Sequence, residues 1–141
     1  MVVRVRLRIE ADEKRVVTAA LANSGYEAET PQLMVPVEVA KLLGAWPPPP
    51  EGETVFDTAG GPLRVWVLPR ACRVSIVAGG AESPEVVADL VVSPLAREVL
   101  LSDRLISELQ IALEDVGRGL WRFRWEPRDR TRPSEPPKYW R

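Results

Sequence analysis

Apolar and charged residues alternate along "VVRVRLRIE" near the start of the chain: Val3, Val5, Leu7 and Ile9 fall on one side, Arg4, Arg6, Arg8 and Glu10 on the other. A period of two over this length predicts a half-buried strand. The polar run "ADEKR" is short enough for a hairpin loop, and "VVTAALA" follows as a second, more fully apolar strand that ends at Asn23. An Asn-Ser-Gly turn closes it. Past Pro36, a good first-turn residue, Val39, Leu42 and Leu43 recur at helical spacing and Gly44 supplies the stop. Prolines 47–50 cannot continue that helix and predict an extended surface connector.

The middle of the chain reads as two hairpins. "ETVFD" and "PLRVWVL" flank the glycine-bearing tip "TAGG", and "CRVSIVA" and "VVADLVV" flank "GGAESPE". From Ser93 periodicity alone leaves two readings, one long helix, or a buried "VLL" strand followed by a short helix from about Ser102. "QIALED" and "LWRFRW" predict closing strands, and the tail from residue 126 has four prolines and no period. It is expected to be mobile, or pinned only by Tyr139 and Trp140. The expected organisation is one domain over 1–125 and a Pro/Arg-rich tail over 126–141.

Composition then narrows the chemistry. The 141 residues carry 19 basic and 20 acidic side chains, a net charge of -1, so no global field points to nucleic acid or to an acidic membrane. No apolar run reaches the ~20 residues that span a bilayer, which predicts a soluble, cytoplasmic protein. The chain has no His and one cysteine, Cys72. Those counts remove Ser-His and Cys-His nucleophiles, an internal disulfide and the usual zinc sites, so no metal and no cofactor is expected. One Asn, two Gln and 14 prolines among many charges resemble a protein from a hot environment.

Several residues admit both a functional and a structural reading. Cys72 alternates with Val74 and Ile76, as a buried small hydrophobe does. Trp66 either lines a cleft or packs. Arg122, Arg124, Arg128, Arg130 and Arg132 interleave with Trp121, Phe123 and Trp125, a pattern that suits single-stranded nucleic acid. Glu126, Asp129 and Glu135 dilute it, and the expectation is a strand in a dimer interface followed by a solvated tail. Asn23 is the chain's single Asn and stands on a turn that the rest of the sequence builds from Gly, Pro, Ser and Asp.

In this order the elements resemble the retropepsin-like aspartic peptidases. "ALANSGYE" is similar to the family's strand running into Asp-Thr/Ser-Gly, "ETPQLMVPVEVAKLLGAW" to its short helix ending in Leu-Gly, and "TVFDTAGGPLRVWV" lies where its flap hairpin belongs. "VVADLVVSPLAREVLLSDRLISELQIALED" is similar to its late strand, helix and final strand, so the likeness covers about residues 3–115. The resemblance implies a mostly β, single-domain acid-protease half-barrel with one or two short helices. It also selects the "VLL" strand and a helix from Ser102. Two positions depart from the family: Asn23 stands where the catalytic Asp belongs, and Ser102 where a Gly is usual.

The resemblance assigns the catalytic turn to Asn23, Ser24 and Gly25 and the flap to Thr58, Ala59, Gly60 and Gly61. In such an enzyme, two Asp residues from the halves of a dimer share one proton; one activates water while the other hydrogen-bonds the scissile carbonyl. An amide does neither. The chain is therefore expected to be a catalytically silent homologue forming a peptide-binding homodimer. One alternative is an active endopeptidase whose Asp was replaced in this chain or arises by deamidation of Asn23. Another is a binding module acting through the aromatic and basic tail. Asp57-Thr58 in "FDTAGG" carries an extra Ala before Gly60 and reads as a hairpin tip.

Overall fold

A computed structural model describes residues 2–140. The alternating N-terminal segment forms β1 (Arg4–Ala11), which turns through Asp12 into β2 (Lys14–Ala22). Val3, Val5, Leu7 and Ile9 are fully buried, because only one face of β1 meets the core. β2 follows the same rule. It is less apolar-buried than its composition predicts: Val16, Thr18, Ala20 and Ala22 point inward while Val17 is exposed.

Seven further strands and two helices follow β2 before the last strand: β3 (Gln32–Val35), α1 (Val37–Leu42), β4 (Glu53–Thr58), β5 (Gly61–Ala78), β6 (Ala81–Glu82), β7 (Val86–Val92), β8 (Val99–Leu101), α2 (Asp103–Glu108) and β9 (Ile111–Asp115). The chain ends its regular structure with β10 (Leu120–Phe123). The large sheet runs β1-β2-β8-β3-β7-β5, and β5 returns to pair antiparallel with β1, so the strands close into a barrel. β2 with β8 and β3 with β7 are the parallel pairs. β4 hangs on β5 outside the ring, forming a hairpin. The fold is thus mostly β with two short helices, and the segment after Ser93 is the strand-then-helix alternative.

Two expectations change in the middle of the chain. The separate strands predicted on either side of Pro69 are one 18-residue strand, β5. Its register slips between Leu68 and Cys72, where Arg70 has a φ of 51°. The irregularity is held by Asp89: its Oδ1 accepts from Arg70 N–H at 2.8 Å and its Oδ2 from the Thr30 hydroxyl at 2.7 Å. A bulge tied down in this way bends a strand without ending it, so β5 runs from the β4–β5 hairpin into the barrel wall. In α1, Val39, Ala40 and the following Leu43 are buried, whereas Leu42 faces solvent.

The C-terminal segment differs most from its sequence reading. β9 and β10 form a separate two-stranded sheet, and Trp121 and Phe123 are buried inside this one chain (3% and 0% exposed). They are therefore not held in reserve for a partner; only Trp125 stays exposed, stacked 4.3 Å from the Phe123 ring. Arg122 is buried too, and its Nη1 donates to the carbonyls of Phe123, Arg124 and Glu126. The tail has more anchors than the two aromatics expected. Arg132 exchanges backbone hydrogen bonds with Trp121 and pairs with Glu126, Ser134 accepts from Arg4 N–H, and the Trp140 indole donates to Thr18 at 3.1 Å. Tyr139 is exposed.

Two apolar layers result from the strand alternation. The main core fills the barrel and takes in α1, α2 and the inward residues of β9 and β10. Met34, Val65 and Val91 point the other way from β3, β5 and β7 and form a second cluster with Tyr26, Phe56, Leu63 and Leu100. That outer layer is the floor of the groove described next.

Candidate functional site

β2 leaves the barrel at Ala22, whose N–H donates to Val3 O, and Asn23 N–H donates to Leu101 O at 3.3 Å. The turn is thereby fixed to the ends of β1 and β8. Asn23 Oδ1 accepts from Gly25 N–H at 3.1 Å, and Tyr26 N–H donates to Asn23 O at 3.0 Å, so the side chain closes an Asx turn. Asn23 is half-buried, while Ser24 and Gly25 are exposed. Among the described residues neither Asn23 Nδ2 nor the Ser24 hydroxyl has a hydrogen-bond partner.

The loop after the turn is anchored from below. Asp103 N–H donates to Tyr26 O at 2.8 Å, and Asp103 Oδ1 accepts from Ala28 N–H at 3.0 Å. Tyr26 donates its hydroxyl to Gln32 Oε1 at 2.9 Å; burial first, and the Asp89 charge second, hold its phenol far above the ordinary range and so protonated. Ser102 is fully buried, and its hydroxyl accepts from both Gln32 N–H (3.0 Å) and Leu105 N–H (3.2 Å). It caps α2 and ties β3 to it. Its side chain makes no hydrogen bond to the Asn23 turn. Ser102→Gly is expected to destabilise the fold by about 1–3 kcal/mol through the orphaned Gln32 N–H and the lost cap; a urea titration checks this.

The β4–β5 hairpin is the site's other element. Thr58 Oγ1 donates to Gly61 O at 2.6 Å across the tip, and Gly61 has a φ of 110°, a conformation that favours glycine. Asn23, Gly25, Tyr26, Met34, Phe56 and Thr58 are among the residues that line one groove of about 750 Å³. The structure thus brings together Asn23 and Gly25 of the turn with Thr58 and Ala59 of the hairpin, while Ser24, Gly60 and Gly61 lie outside the lining. Asp57 also faces this groove, as part of the hairpin.

The remaining candidates fall elsewhere. Trp66 packs edge-on against Trp46 at 5.8 Å and beneath Arg64, away from the groove lining. Cys72 is buried, its thiol directed at Ala88 O, and burial pushes its pKa up to about 12, so it is not a nucleophile at neutral pH. Among the described residues no three His, Cys, Asp or Glu side chains cluster to hold a metal ion, and no helix is long and apolar enough to cross a membrane. A second cavity of about 730 Å³ lies between Val5, the Gly79-Gly80 turn, Trp121 and Pro133; Trp121 and Arg132 line it, and none of the residues assigned to the turn at Asn23 or to the hairpin tip does.

Sequence reasoning did not single out Tyr26, Asp89 or Asp103, whose roles depend on partners far along the chain, nor the carboxylates Glu27 and Glu29 that line the groove. The "YEAE" run directly after the turn was the available signal for the last two. The chain matches no family model and no curated protein sequence.

Proposed function

We propose that this chain is a proteolytically silent homologue of the retropepsin-like aspartic peptidases, which pairs with a second copy and holds an extended peptide in the cleft between them. The observation that carries this reading is that Asn23 and the β4–β5 hairpin line one groove. Among the described residues β4 pairs only with β5, so its outer edge has main-chain groups free to receive a peptide by strand addition. Among the described residues β9 likewise pairs on one edge only and the exposed Ser24 hydroxyl has no partner, as for a turn that faces its symmetry mate.

Sedimentation tests the assembly: a dimer is expected at micromolar concentration, and a monomer at high micromolar concentration contradicts it. Hydrogen exchange tests the groove. Gly60 and Gly61 are expected to exchange fast in the free protein and to be protected by bound peptide, while equal exchange with and without every member of a broad peptide library counts against the cleft.

A second reading keeps the enzyme and supplies the missing Asp by deamidation. It is favoured by Asn23 Nδ2, which has no hydrogen-bond partner among the described residues, beside the exposed Ser24 and Gly25. An intact mass measurement on aged protein separates the two readings, because only deamidation adds mass at the 20–30 segment.

A further inference from the structure

The groove has a charge as well as a shape. Glu27, Glu29 and Asp57 line it, all three exposed, and no Lys or Arg lines it in a chain that carries 19 of them. Several carboxylates elsewhere are matched, Glu53 with Arg64, Glu98 with Arg4, Glu114 with Arg122 and Glu126 with Arg132, while among the described residues Asp12, Glu13, Glu51, Asp129 and Glu135 stand without an ion pair at other places on the surface. Among the described residues none of the groove's three has an ion pair or a hydrogen bond. Between them the floor is apolar, with Met34 buried and Phe56, Leu63 and Leu100 half-buried, and Val55 on β4 is 59% exposed.

We infer that the ligand is an extended polypeptide segment with an apolar side chain flanked by Lys or Arg. The inference rests on the peptide-binding reading above and names the class of peptide. An apolar residue displaces water from the floor, and its charged neighbours meet carboxylates, Glu27 and Glu29 by the turn and Asp57 on the hairpin. Rejection matters as much as attraction, because an acidic segment would place like charges together with no cation nearby to relieve them. In a dimer each copy adds its own three carboxylates to the cleft, which strengthens the selection.

The test uses three fluorescent decapeptides that share one apolar centre and differ only in carrying Lys, Gln or Glu at the flanking positions. Polarisation is read with the full chain and with the triple variant E27Q/E29Q/D57N. Those side chains have no partners to lose, so the variant should keep its fold, which a thermal melt verifies. The Lys peptide is expected to bind about tenfold more tightly than the Gln peptide and the Glu peptide more weakly still, with the order compressed by added salt and abolished in the variant. Equal binding of all three peptides, or a Lys preference that survives in the variant, overturns the charge inference and leaves peptide binding standing. Binding of none overturns both.

Discussion

Phe123→Asp is expected to unfold the protein, not to split a dimer. The Phe123 ring is fully buried, 5.0 Å from Trp121 in an edge-to-face pair, stacked on Trp125, and capped by the Arg132 guanidinium at 5.5 Å. Deleting such a ring costs about 3–5 kcal/mol, and the carboxylate that replaces it has to be desolvated as well. The nearby cations are already committed, since Arg132 binds Glu126 through both Nε and Nη2 and Arg122 binds Glu114 and three carbonyls. The summed loss is comparable to the whole stability of a domain, about 5–15 kcal/mol. Circular dichroism should show a chain without a cooperative melt, and a folded Phe123→Asp variant of any oligomeric state contradicts the packing described here. Trp125→Asp changes an exposed ring and is expected to leave the melt within about 1 kcal/mol of the unaltered chain, since most of its surface is already in water.

The difference between these neighbours shows what a sequence reveals about such a fold. The alternation in β1 was legible because core and solvent lie on its two faces along its whole length, and the flap-like hairpin because its turn is local chemistry. β10 carries an alternation of the same kind, yet its arginine side is not a solvent side. Arg122 turns back to satisfy three carbonyls and Glu114, contacts that depend on how residues 110–126 fold together. The continuity of β5 was hidden for a similar reason: Pro69-Arg70 looks like a break, and what spans it is Asp89, nineteen residues beyond Arg70. At the site, the turn and the hairpin were each visible as short motifs. Their meeting in one groove was implied only by the family resemblance and not by the motifs themselves, because it depends on β2, β5 and β8 sharing one barrel.

Asn23→Asp is the substitution with the largest expected effect on activity. The hydrogen bond from Gly25 N–H would fall on a carboxylate and favour its charged form, whereas in the proposed dimer a second carboxylate facing it would oppose that charge. The pair is expected to hold one proton between them, titrating as a unit with one apparent pKa lowered and one raised. Activity then requires the singly protonated state, so the rate should rise as the first group ionises and fall as the second does, a bell on the acid side of neutrality. Supplying the missing base and acid is worth at least about 10⁴-fold over the amide.

The decisive measurement is therefore cleavage of a mixed peptide library between about pH 3 and pH 7, run on the unaltered chain with its mass verified and on Asn23→Asp. The account predicts no cleavage by the first, and by the second a bell-shaped activity that a hydroxyl-bearing statine-type inhibitor blocks. Cleavage by a chain whose Asn23 is intact, or an Asn23→Asp variant that is folded, dimeric and still inactive, would contradict it.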